Sequence, residues 1–135
     1  MEVVYVEKNW GHETWFANDE QNNYCGKELV FRRGHRCSMH RHLVKDEVFF
    51  ITQGLFLIEY STEEDGSNLQ RKIVSVGENF HVPTRMWHRM TAIARDVDTS
   101  KLTEVSTFHR DEDVERLETG GAIDLAAVEQ ELAAV

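Results

Sequence analysis

One proline in 135 residues is the first scarcity, and nowhere does an apolar run approach the roughly 18 residues that a membrane-spanning helix needs. A spanning helix is therefore not expected, and Pro83 marks one particular turn. Cysteine is nearly as rare. Cys25 and Cys37 are too few for a disulfide framework, and the opening "MEVVYVEKNWGHE" has no basic segment followed by an apolar stretch. Reduced thiols, no export and a cytoplasmic location are the expectation. Positive charge is the third shortage, with 15 basic against 24 acidic residues and a net charge of −9. Such a field repels phosphate backbones and anionic lipid, so neither nucleic acid nor a membrane surface is expected as a partner.

What remains is ordinary for a globular protein: 41% hydrophobic and 29% charged residues. The length allows one domain with a real core and leaves no room for a second. Short segments rich in Val, Ile, Phe and Tyr ("VVYV", "KELVFRRG", "EVFFITQG", "FLIEYS", "RKIVSVG", "HRMTAIA", "LTEVSTF") are separated by turn signals. That spacing predicts an antiparallel sandwich or barrel over about residues 1–110. "STEEDGSN" reads as an exposed hairpin loop between Tyr60 and Leu69. From Asp111 the chain is charged and loses strand alternation, and residues 111–135 read as a turn, a flexible Gly120-Gly121 joint and a short C-terminal helix. Leu125, Val128, Leu132 and Val135 form the apolar stripe of that helix, for packing on its own barrel or for dimer contact.

Within "HRHLVKDEVFFITQG", His40 and His42 share strand parity and project to one face. Glu47 opens the next strand with Phe49 and Ile51 as parity partners, so its carboxylate faces inward. A buried carboxylate is costly unless a cation neutralises it. In "GENFHVPTRMWHRMTA", His88 follows the Pro83 turn and completes a set of four ligands. Three neutral imidazoles and a carboxylate suit one divalent ion, Zn or Mn foremost, with Fe, Co or Ni also compatible.

These residues resemble the first cupin motif: glycine, five residues, His-x-His, a short gap, Glu, six residues, glycine, at Gly34, His40, His42, Glu47 and Gly54. The second motif is matched at Gly77, Pro83 and His88, with Arg85 in place of a glycine and Ala92 in place of an asparagine. The resemblance implies an all-β cupin fold, a double-stranded β-helix or jelly-roll barrel, with a metal on those four ligands. "NWGHETWFAN", "YCGKELVF" and "EVSTFHRDEDVERL" are further similar to small single-domain cupins related to the C-terminal domain of type II mannose-6-phosphate isomerases and to D-lyxose ketol-isomerases. That resemblance implies a metal-dependent aldose–ketose isomerase acting on a small sugar or sugar phosphate, and a homodimer. A non-haem iron dioxygenase and a non-catalytic sugar-binding cupin are the alternatives.

Isomerisation needs an electrophile and a base that moves a proton between neighbouring carbons. Glu104, sharing a face with Ser106, is the candidate base. Lys27 shares parity with Leu29 and Phe31 and is the candidate for holding a substrate oxygen, unless Glu28 and Val30 face inward instead. Lys45 and Arg85 are candidates for binding hydroxyls or a phosphate at the mouth. His12, His35, His81 and His109 read as ordinary exposed or hydrogen-bonded histidines, and Trp10, Trp15 and Trp87 as packing residues rather than sugar platforms.

Overall fold

The computed structural model describes residues 1–134, and Val135, the last member of the expected helical stripe, lies outside the described residues. In chain order the strands are β1 (Val4–Lys8), β2 (Gly11–Asp19), β3 (Tyr24–Arg32), β4 (His35–Arg36), β5 (His40–Arg41), β6 (Glu47–Gln53) and β7 (Leu55–Ser61). After them come β8 (Gln70–Ser75), β9 (Asn79–Val82), β10 (Trp87–Ala92), β11 (Thr99–Ser106), β12 (Glu115–Arg116) and β13 (Gly121–Ala122), then one helix, α1 (Leu125–Ala133).

All strand pairs are antiparallel and form two sheets. The first runs β1-β2-β3-β11-β6-β9. In the second, β10 pairs along its length with β7, and β7 pairs with β8. The other side of β10 meets β5 at His88 and β4 at Thr91, and these short strands carry β12 and β13 in turn.

Alternation explains which side chains fill the space between the sheets. On β6, Glu47, Phe49 and Ile51 are buried while Phe50 and Thr52 face out. On β11, Leu102, Glu104 and Ser106 are buried and Val105 is exposed. Trp10 stacks on Phe31 at 4.0 Å between ring centres, and Phe31 meets Phe56 edge-on at 5.1 Å. Each such large side chain, fully withdrawn from water, contributes about 1.5–3 kcal/mol.

Several elements differ from the sequence expectation. β2 was not anticipated as a strand because "GHETWFAND" mixes charged and aromatic residues, and most of its positions are only half-buried. The charged segment after Asp111 is not a free turn: Glu115 and Arg116 pair with Arg41 and His40, and Gly121 and Ala122 pair with Arg36 and His35. Two-residue strands are too short to show a period. The expected Gly120-Gly121 joint is instead a close packing point, since a Cβ on Gly120 would lie 2.3 Å from the Arg36 carbonyl oxygen. The helix α1 is N-capped by Asp124, which accepts from the Ala127 N–H at 3.2 Å. Leu125, Val128 and Leu132 pack with Leu57 and Ile93 on its own barrel. Among the described residues no helix is long and apolar enough to cross a membrane.

Candidate metal centre and its cavity

Two short elements bring the histidines together. His40 on β5 is the register partner of His88 on β10, and His42 lies just past the end of β5. Each Nδ1 bonds a backbone carbonyl: His40 to Ser38 at 2.8 Å, His88 to Met86 at 3.0 Å, and His42 to Asp113 at 2.6 Å. A carbonyl can only accept, so each Nδ1 carries the hydrogen and each Nε2 keeps its lone pair. The three ligand atoms lie within 4.8 Å of one another.

Glu47 approaches two members of this group, with Oε2 3.3 Å from His42 Nε2 and Oε1 3.9 Å from His88 Nε2. Burial, reinforced by the Glu104 charge, pushes its carboxyl well above the usual range. Burial also holds the imidazoles neutral, taking His42 down to about 3 and His88 down to about 4, and His40 well below its ordinary value. Among the described residues, Glu47 Oε2 and His88 Nε2 are buried with no hydrogen-bond partner. Orphaned acceptors are costly, and a divalent cation beside them satisfies both atoms at once. Three oriented imidazole lone pairs and one desolvated carboxylate therefore fit a metal ion, and the same donors suit Zn, Mn, Fe, Co and Ni.

Next to this group runs a cross-strand row. Trp15, Lys27, Glu104 and Phe49 are successive register partners on β2, β3, β11 and β6, so their side chains share the inner face. Lys45 Nζ, almost wholly buried, lies 3.0 Å from Glu104 Oε2, 3.7 Å from Glu47 Oε2 and 3.4 Å from His109 Nδ1. Burial opposes the charge on Glu104, but Lys45 and Lys27 outweigh it and hold this carboxyl below the usual range. Ser106 Oγ also donates to Glu104 Oε2, at 3.1 Å. Lys27 Nζ lies 3.4 Å from Glu13 Oε1 and 4.4 Å from the Trp15 ring centre. Apart from Ser106, these groups line one cavity of about 320 Å³. Cys37 lines it too, as a thiol pushed up to about 12 by burial, and is therefore unreactive at neutral pH.

The structure thus gathers His40, His42, Glu47, His88, Glu104, Lys27 and Lys45. Lys45 lies in the interior of the site rather than at its mouth. Arg85 is a correction: its half-exposed side chain bridges to Glu64 at 3.0 Å and does not line the cavity. Its backbone matters more, because Arg85 holds φ at 72°, the conformation glycine usually supplies at this motif position, and its N–H donates to the His42 carbonyl at 2.7 Å.

Sequence reasoning missed Glu13, His109 and Asp113. His109 contacts Lys45 and the Trp15 ring, and stood in sequence as a lone histidine. Asp113, within an apparently solvated charge run, accepts from the backbone N–H groups of Leu43, Val44 and Lys45 at 2.8, 3.1 and 3.0 Å. Strand parity with Trp15 is the signal that could have found Glu13. Trp87 is buried packing, whereas Trp10 and Trp15 also reach the cavity.

No family model matches this chain, and no curated protein matches it in sequence. Solved structures do resemble it. The capsular polysaccharide assembling protein CapF from Staphylococcus aureus superposes with a TM-score of 0.73 at 17% identity, covering 88% of this chain and 32% of that one. Oxalate decarboxylase from Bacillus subtilis gives 0.73 at 12% identity, over 86% of this chain and 30% of that one. KdgF from Halomonas sp. gives 0.63 at 20% identity, over 83% and 90%. The chain spans about a third of the length of CapF and of oxalate decarboxylase. At these identities the likeness concerns the fold alone: two antiparallel sheets with the imidazole group between them make an all-β, cupin-type jelly-roll fold.

Proposed function

We propose that this domain is a metal-dependent aldose–ketose isomerase acting on a small sugar or sugar phosphate. The observation that carries the reading is the juxtaposition, in one cavity, of a metal-competent group and an ionised carboxylate held off it by Lys45. The flanking motifs similar to type II mannose-6-phosphate isomerases and D-lyxose ketol-isomerases support it, as does the fold shared with a capsular polysaccharide assembling protein.

A divalent ion on His40, His42, Glu47 and His88 would supply polarisation of a carbonyl and its neighbouring hydroxyl. Glu104 moves the proton between the two carbons. Both of its hydrogen bonds fall on Oε2, which leaves Oε1 to take up and return that proton. Lys45 keeps the carboxylate ionised between turnovers, and Lys27 holds a substrate oxygen against the Trp15 wall. The same reading includes a cytoplasmic homodimer, for which the open edge at β1 offers a pairing surface. Sedimentation at tens of micromolar, roughly, tests the dimer, and a pure monomer there rejects it.

Turnover in heavy water tests the chemistry. Solvent deuterium should enter the product at C1 or C2 as the proton passes through an exchangeable base. Turnover without any exchange points to hydride shift, and metal-loaded protein that binds sugars without converting any of them is a binding module instead.

A further inference from the structure

Charge around the cavity does not balance in the way the net charge of −9 would suggest. Each acidic group lining it is engaged. Glu13 accepts from Trp15 and Lys27, Glu104 from Lys45 and Ser106, and Asp111 pairs with His109, while Glu47 belongs to the metal group. Two lining cations are left over. Among the described residues, neither Lys8 nor Arg116 has a carboxylate within 4.0 Å.

Both point toward the cavity for structural reasons. On β1 the positions alternate, with Val4, Val6 and Lys8 half-buried and Tyr5 and Glu7 exposed, and Val6 and Lys8 both line the cavity. Arg116 on β12 is the register partner of His40 on β5, and directly opposed residues of an antiparallel pair project to the same face. Arg116 therefore stands beside a metal ligand, yet it remains solvent-exposed, as a rim residue must. Asn9 joins the two elements by donating to the Gly120 carbonyl at 2.9 Å, which ties the β1–β2 turn to the tail that carries Arg116.

We propose that Lys8 and Arg116 form an oxyanion subsite at the cavity mouth, so that the ligand of the metal site carries a phosphate or carboxylate on the end remote from its reacting carbons. This rests on the isomerase reading for the reacting end only. A guanidinium and an ammonium brought to one cavity by two different elements suit the tetrahedral or planar oxygens of such groups, and water at the mouth leaves the ligand free to depart.

The experiment is calorimetric titration of metal-loaded protein with fructose, fructose 6-phosphate and glucuronate, repeated with Lys8→Met/Arg116→Met protein that still loads metal. At least one anionic sugar should bind about tenfold or more tightly than fructose, as expected for charge-assisted hydrogen bonds. The double variant should erase that preference. Tight binding of fructose 6-phosphate alone assigns a phosphate, and of glucuronate alone a carboxylate. Should the double variant fail to fold, wild-type protein still decides, because a rim subsite must lose its preference as salt rises from about 0.05 to 0.5 M. Equal affinity for all three sugars, or a preference that survives both the substitutions and the salt, overturns the proposal. Anion preference without turnover keeps the subsite and rejects the isomerase, while turnover of neutral sugars with no anion preference does the reverse.

Discussion

At His88 a single ring shows how local chemistry sets function. Its Nδ1–H is committed to the Met86 carbonyl and its buried Nε2 has no hydrogen-bond partner among the described residues, so His88→Ala removes a lone pair that no neighbour replaces. His88→Ala and His40→Ala proteins that remain folded are expected to lose stoichiometric metal at neutral pH, as read by elemental analysis. Glu104→Gln is expected to keep the metal and lower kcat by about 10²–10⁴-fold, whereas Lys27→Met raises KM.

Proton linkage gives a second residue-scale expectation. Glu47 sits above the usual carboxylate range, so metal binding near pH 7 should release a proton from it, measurable by calorimetry in buffers of different ionisation enthalpy. The histidines act the other way. Their folded-state values are depressed, so the unfolded chain binds more protons, and metal-free stability falls as pH drops from about 6.5 toward 4. Metal retention should therefore persist below pH 6 and fail nearer 4, and loss already at pH 6.5 would contradict the burial of these rings. That His40, His42, Glu47 and His88 come together was legible in sequence because motif spacing, with strand parity for the first three, points to them. Glu13 and His109 were not, since their roles arise only when β2 and the segment after β11 fold over the same cavity.

Among elements, strands with clear alternation declared themselves, while β2, nine residues long but mixed in character, and the two-residue strands did not. β3, β6, β7 and β11 carry enough alternation to be read, while β4, β5, β12 and β13 are two residues each and exist through tertiary pairing. The loop between β5 and β6 depends on such a pairing, because Asp113 gathers three backbone N–H groups there and its own carbonyl orients His42. Asp113→Ala keeps that carbonyl but releases the three N–H groups that hold the loop after His42, so His42 and the carbonyl lose their fixed placement and metal binding should weaken by about 10–100-fold. Arg85→Gly should be neutral or stabilising. It relieves a left-handed residue worth about 1–2 kcal/mol and loses only a solvent-exposed, salt-screened bridge to Glu64. A fall in stability beyond that would mean the Arg85–Glu64 contact organises the loop between β7 and β8.

For the whole molecule, the question is how far the functional body extends along the chain. The sequence suggested a barrel ending near residue 110, yet residues after it supply the His42 carbonyl partner, the Glu115 carboxylate on buried Arg41 at 2.8 Å, two strands of the second sheet and the Arg116 rim. Two truncations separate packing from function. A chain ending at Ala122 loses α1, its cap and Ile123 with its 2.8 Å bond to the Gly34 carbonyl, which uncovers Leu57 and Ile93 and sacrifices the burial of Leu125, a loss on the order of 2–4 kcal/mol. It should fold, melt lower and bind metal as tightly as the full chain. A chain ending at Arg110 also loses the partners of His42 and Arg41, so it should fail to hold metal even at temperatures where circular dichroism reports intact strands. If the shorter chain binds metal with full affinity, the tail is packing alone and the centre belongs to the first 110 residues after all.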